Sequence, residues 1–194
     1  MGRKSIDLKS ATDPNWVQTI LADFDSFLAD HANCERKASA LAMSLIVRFP
    51  DRTRIIPTLI AIAREELEHF EQVYDLMSER NVPLVKDSPD PYVNALISHM
   101  RHGYDDRFVD QLLVSSVVES RGAERFKIIS EALTDEKLKT FYYDLWKAEL
   151  KHGHQFVTMA LEYSDSEKVY SRLDELMEAE AVIVSQLEWR PSLH

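Results

Sequence analysis

Two Glu-x-x-His pairs occur in the chain: Glu66 with His69 in REELEHFEQV, and Glu149 with His152 in AELKHGHQF. Residues three apart on a helix are neighbours on one face, so each pair offers a carboxylate and an imidazole to the same region of space. A single glutamate precedes each pair: Glu35 lies 31 residues before Glu66, and Glu119 lies 30 before Glu149. Carboxylates are hard, anionic donors that can bridge two cations, and imidazole suits iron. One glutamate from each of two helices, plus a Glu-x-x-His pair from each of two others, is the donor set of di-iron and di-manganese carboxylate bundles. Four carboxylates balance two ferrous ions, which removes most of the penalty for burying the acids. With 17 Glu and 7 His in 194 residues, chance supplies about 0.6 such pairs. The pairs alone therefore decide little; their place on apolar stripes decides more.

Long helices must hold these residues. A first is expected from about Asp23 to Phe49, with Phe24, Phe27, Leu28, Ala38, Ala42, Leu45 and Phe49 recurring at three and four. A second runs from Asp51 or Thr53 to about Glu79, with Pro57 tolerated in its first turn and Ile55, Leu59, Ile62, Val73 and Met77 inward. RNVPLVKDSPDPY, with three prolines, reads as a linker, followed by a short helical piece from Pro91 to His102. The third runs from about Asp105 to Leu133, with Phe108, Leu112, Ser115, Phe126 and Ile129 inward. Thr134 is the expected cap of the fourth, which reaches about Tyr163 with Leu138, Phe141, Leu145, Phe156 and Met159 inward. Asp13-Pro14 opens a short helix before the first long one. A Ser164/Glu167 capping-box pattern starts a fifth, to about Trp189.

Every stripe of the four long helices is interrupted in its middle by the metal-binding types: Glu35, then Glu66 and His69, then Glu119, then Glu149 and His152. Each glutamate lies 14 residues, about 21 Å, from the same end of the expected bundle. The pattern predicts an all-α, ferritin-like four-helix bundle: two antiparallel hairpins joined by a long crossover, with N- and C-terminal accessory helices. Residues 1–194 suffice for a single domain of this kind.

Other chemistry-bearing residues read more plainly. Glu65, Glu68 and Glu71 point off the inward stripe and are expected in solvent. Glu124 rivals Glu119 but breaks the 30-residue spacing. His31, one turn before Glu35, is either a residue that supports a ligand from behind or an ordinary core histidine. His99 and His102 fall on a short polar piece, and His154 faces away from His152. Cys34 is the one cysteine, so no disulfide or iron–sulfur cluster forms within the chain. Tyr74, Tyr142 and Tyr143 are expected at the core or its rim. The net charge of −10, the absence of a 20-residue apolar run and the lack of a secretory h-region point to a cytoplasmic protein away from membranes.

Four segments, HANCERKASALAMSLIVRFPD, REELEHFEQV, VVESRGAERF and AELKHGHQF, together resemble the tRNA hydroxylase family called MiaE, over nearly the whole chain. The resemblance implies oxygen-dependent hydroxylation of the isopentenyl group of 2-methylthio-N6-isopentenyladenosine at position 37, beside the tRNA anticodon. It implies two iron ions held by Glu35, Glu66, His69, Glu119, Glu149 and His152, with dioxygen as co-substrate. Two electrons must come from an external donor such as a reductase or ferredoxin, since the chain has no flavin or iron–sulfur motif. The tRNA anticodon loop would be the partner. Arg48, Arg52, Arg54, Arg101 and Arg107 gather near one end of the expected bundle, and Arg3, Lys4 and Lys9 form a second basic cluster. Either could hold phosphates, although solvated helix ends are the plainer reading. Ferritin-type iron storage, a manganese catalase and an oxygenase acting on a small molecule share the same donor set.

Overall fold

The computed structural model describes residues 6–194. Seven α-helices and no strand occur among the described residues. They group into two compact units, each built on one long helical hairpin.

The first unit comprises Asn15–Pro89 and Trp189–Leu193. It contains α1 (Trp16–Ala22), α2 (Phe24–Arg48) and α3 (Ile56–Glu79). Asp23 starts α2 by accepting a hydrogen bond from the Ser26 amide at 3.2 Å, satisfying one of the first-turn donors. A 3-10 turn, Thr53–Ile55, leads into α3, and Pro57 occupies its first turn, where a missing amide costs nothing. Helix α3 ends in a Schellman motif: Asn81 turns left-handed at φ 59°, and the Asn81 and Val82 amides donate to the Ser78 and Met77 carbonyls. Phe27, Leu28, Leu45, Leu59, Ile62, Val73 and Met77 are buried, as their spacing requires. The Ser39 hydroxyl donates to the Ala63 carbonyl at 2.7 Å, tying α2 to α3 near the interrupted stripes.

The second unit comprises residues 6–14, Asp90–Glu188 and His194. It contains α4 (Pro91–Ser98), α5 (Tyr104–Ala132), α6 (Glu136–Leu161) and α7 (Ser166–Gln186). Asp90 caps α4 through the Tyr92 and Val93 amides. Buried residues of α5 extend well beyond one stripe, including Val109, Asp110, Gln111, Ser116, Arg121 and Arg125. Gly153 lets α6 lie close on α5: a Cβ there would stand 3.0 Å from the Ser120 hydroxyl and 3.3 Å from the Ser116 carbonyl. The Ser116 hydroxyl donates to the Gly153 carbonyl at 2.8 Å across the same contact.

Several expected boundaries move. Asn15, not Asp13, precedes α1. Asp135, not Thr134, caps α6, accepting from the Leu138 amide at 2.9 Å. Helix α7 starts after Asp165, whose side chain makes no capping bond, and it stops at Gln186 rather than near Trp189. Helix α4 stops at Ser98, so His99 and His102 lie outside it. Helices α2, α5 and α6 match the expected ones to within two residues, α3 begins at Ile56 rather than at Asp51 or Thr53 because a 3-10 turn precedes it, and the class is the all-α, ferritin-like one.

Candidate metal centre

In the first hairpin, Glu35 of α2 and Glu66 and His69 of α3 offer ligand atoms within 4.8 Å of one another. The His69 Nδ1 lies 3.2 Å from Glu66 Oε2 and 3.8 Å from Glu35 Oε2. Glu35 and Glu66 are buried, and His69 is half-buried. Behind Glu35, the His31 Nε2 stands 2.6 Å from its Oε1, and the His31 ring stacks on Phe27 at 5.7 Å. His31 is wholly buried. Two carboxylates held this close in a buried place repel one another unless a cation or a proton joins them. The donor set thus fits a divalent metal.

The second hairpin repeats the pattern. The His152 Nδ1 lies 3.2 Å from Glu149 Oε2, the same spacing as in the first pair, and both residues are buried. In each pair Nδ1 faces the carboxylate three residues earlier. A metal held by Nδ1 would leave the ring proton on Nε2. Glu119 stands on α5, half-buried.

The rivals have other engagements. Glu124 accepts from the Thr12 amide at 2.9 Å and the Thr12 hydroxyl at 2.7 Å, and it pairs with Arg121. His99 and His102 are exposed, His154 is half-buried, and the half-buried Cys34 has its Sγ 3.8 Å from Asp30. Glu68 and Glu71 face solvent as expected, whereas Glu65 is half-buried. Tyr142 is fully buried, but Tyr74 and Tyr143 are exposed.

Of the basic candidates, Arg48 and Arg54 are exposed beside the α2–α3 turn, and Arg52 pairs with Asp51 at 3.4 Å. Arg107 is half-buried near the start of α5. Arg101 is held by Asp106 at 2.9 Å and by Asp110 at 2.7 Å. Lys9 pairs with Asp174 at 3.3 Å, and Arg3 and Lys4 lie outside the described residues.

Sequence reasoning missed a second set of buried charges. Arg121 of α5 donates to both oxygens of Glu180 on α7, at 2.7 and 2.9 Å, a bidentate pair. It also reaches the Ser10 carbonyl at 2.9 Å and the Thr12 hydroxyl at 3.1 Å. The Tyr92 hydroxyl donates to Glu180 at 3.1 Å. Burial, and then the Glu180 charge, push the Tyr92 hydroxyl well above its ordinary pKa. Burial opposes the charge on Arg121, yet the bonds and charge of Glu180 outweigh it and hold the guanidinium above its usual value. Burial pulls the neighbouring Arg125 down to about 10, still charged at neutral pH. The signal was present: Glu180 continues the buried stripe Val169, Leu173, Leu176 and Met177.

Compared with known proteins, residues 3–194 match the family described as tRNA-(MS[2]IO[6]A)-hydroxylase (MiaE). The chain belongs to the MiaE family. This MiaE-family chain is 38% identical to a tRNA 2-(methylsulfanyl)-N(6)-isopentenyladenosine(37) hydroxylase of Pseudomonas putida, over 84% of the chain and 79% of that protein. A protein of the same name from Salmonella typhimurium is 30% identical over 68% of the chain; the match spans 48% of that longer relative. Among solved structures, "Protein 43 with aldehyde deformylating oxygenase activity from Synechococcus" superposes with a TM-score of 0.91 at 32% identity, covering 96% of this chain and 94% of that one. No helix among the described residues is long and apolar enough to cross a membrane.

Proposed function

We propose that this chain hydroxylates the isopentenyl group of 2-methylthio-N6-isopentenyladenosine at position 37 of tRNA, using dioxygen and two external electrons. The observation that carries the reading is the family match over residues 3–194, joined to a Glu and a Glu-x-x-His pair on each hairpin. Glu35, Glu66, His69, Glu119, Glu149 and His152 would hold two iron ions, with residues 1–194 working as one domain. When bound, the irons would activate dioxygen for insertion into a carbon–hydrogen bond.

The chain's own residues do the rest. The glutamates would neutralise the ions, and the histidines would add neutral donors through Nδ1. His31 holds Glu35 Oε1 and would leave the other oxygen for a metal. Ile62, one turn before Glu66, and Leu145, one turn before Glu149, are buried and would keep water from the ligands on their own helices. Arg48, Arg52, Arg54 and Arg107 remain candidates for phosphate contact, whereas the two aspartates occupy Arg101. A reductase or ferredoxin would supply the electrons, and action on tRNA would be cytoplasmic.

The test is a single turnover. Iron-loaded protein is reduced without oxygen, pulsed with oxygen and offered tRNA carrying the isopentenyl modification, and the nucleosides are then analysed. One added oxygen atom is expected, and its absence would sink the reading. Glu66→Ala should lose iron and turnover together; wild-type turnover in that variant would overturn the ligand assignment. Fewer than one iron per chain after anaerobic reconstitution would count against a two-iron centre.

The likeness to the Synechococcus protein favours a second reading, an oxygenase acting on a small molecule. Aliphatic aldehydes offered in the same assay separate the two. Ferritin-type storage would instead require a large hollow shell, which sizing of the native protein detects.

A further inference from the structure

The outward face of α6 carries a feature that α3 lacks. Aligning the two Glu-x-x-His pairs, Ile60, Ala63, Arg64 and Leu67 of α3 correspond to Tyr143, Trp146, Lys147 and Leu150 of α6. On α3 the corresponding positions are aliphatic apart from one arginine, and Ala63 among them is buried. On α6 the face is aromatic and cationic. The Tyr143 and Trp146 rings meet edge to face, with centroids 5.3 Å apart at 65°. The Lys147 ammonium sits 4.1 Å from the Tyr143 centroid, and Lys127 of α5 sits 5.3 Å from the Trp146 centroid. Tyr143 is 43% exposed and Leu150 40% exposed, and Lys127 and Lys147 also face solvent.

We propose that Tyr143, Trp146, Lys127 and Lys147 form a platform on which an unpaired nucleobase of the substrate RNA stacks, with the two lysines meeting the adjoining phosphates. This rests on the tRNA reading above and adds to it a surface. Proteins read single-stranded loops of RNA by stacking bases on aromatic rings, because every base has a π-face. Lysines at the ring faces supply the counter-charge that a polyanion needs on a chain of net charge −10. Trp146 and Tyr143 precede Glu149 by three and six residues, so the platform lies within two turns of the candidate ligand along α6.

The test separates this platform from the function it serves. Tyr143→Ala with Trp146→Ala should raise KM for modified tRNA, and weaken binding of an anticodon stem-loop RNA, by about 10-fold or more. The kcat at saturating tRNA and the iron content should stay unchanged. Trp146→Phe should restore most of the binding. Lys127→Gln with Lys147→Gln should reduce the salt dependence of binding by up to about two phosphate contacts. Hydroxylation with unchanged KM in the double alanine variant would overturn the platform while leaving the tRNA reading intact. A fall in kcat at limiting electron donor, with KM for tRNA unchanged, would also overturn it, because the face would then dock the donor protein. Stem-loop binding that depends on the rings, without hydroxylation, would sustain the platform and sink the reading. Wild-type protein that binds no RNA would overturn both.

Discussion

Glu66 and Glu180 begin from the same sequence signal and reach opposite ends. Glu66 interrupts an apolar stripe near the middle of α3, Glu180 ends the buried stripe of α7, and each is 0% exposed. Glu180 is met by the Arg121 guanidinium through two bonds and by the Tyr92 hydroxyl. Its charge is balanced within the protein. Glu66 is met by another carboxylate and an imidazole within 4.8 Å. That gathering sets a second carboxylate beside the first, a set that a cation would neutralise. A buried acid therefore marks a metal site only where its neighbours are donors like itself.

The largest expected effect tests that contrast through stability. Glu180→Ala leaves Arg121 buried without its bidentate partner, which should cost roughly 3–5 kcal/mol. Glu66→Ala in metal-free protein removes a charge from a mutually repelling set and should change stability by about 1 kcal/mol or less. Urea unfolding of the two metal-free variants reads both. Equal losses would mean that Glu66 is balanced within the chain after all, and the comparison would fail.

The two hairpins differ in a second way. Four residues before Glu35 stands His31, which grips its carboxylate at 2.6 Å. Four residues before Glu119 stands Ser115, whose hydroxyl donates to the Gln111 carbonyl instead. His31→Phe keeps the stacking on Phe27 but cannot hold the carboxylate. It should weaken iron binding by about 10- to 100-fold, measured by competition with a chelator. Ser115→Ala should leave iron binding within about 2-fold of wild type, since only a bond within α5 is lost.

How much of this was legible in the sequence follows from range. The interrupted stripes and hairpin helices follow from a local 3.6-residue period, so α2, α3, α5 and α6 lie where the apolar positions put them. Caps compete locally among adjacent candidates: Thr134 and Asp135 could each cap α6, and a carboxylate, the stronger acceptor, does so. The stop of α7 at Gln186 follows from no single residue, although Pro191 already bars Arg190 from a helix. Arg121 and Glu180 are 59 residues apart, and no period links them. Only packing shows that Glu180 has a guanidinium beside it.

The clasp between paired helices gives a smaller contrast. In the second hairpin, Gly153→Ala would press a methyl group 3.0 Å from the Ser120 hydroxyl, costing about 1–3 kcal/mol. Adding Ser120→Ala should recover part of that loss, a coupling that a double-mutant cycle measures. In the first hairpin, Ser39→Ala removes one hydrogen bond to the Ala63 carbonyl and should cost about 1 kcal/mol. A larger loss for Ser39→Ala than for Gly153→Ala would reverse the order of the two clasps.

The smallest effect at neutral pH belongs to a third buried acid, Asp110, and it sharpens the case of Glu180. Burial raises its pKa, but bonds from the Arg101 and Arg172 side chains and the Arg101 amide outweigh that and leave it below its ordinary value. A carboxyl depressed by folding contributes its stability above the unfolded pKa, about 3.9. That contribution is lost as pH falls through the lower folded value. This group contributes no change between pH 6 and 8. Below about pH 4 the urea midpoint should fall, with this one group adding at most about 1.4 kcal/mol per pH unit to the slope. Asp110→Asn should lie lower at neutral pH and show a shallower acid limb. An acid limb as steep as that of wild type would mean that Asp110 is not protonated on unfolding, and that other carboxylates carry the acid sensitivity.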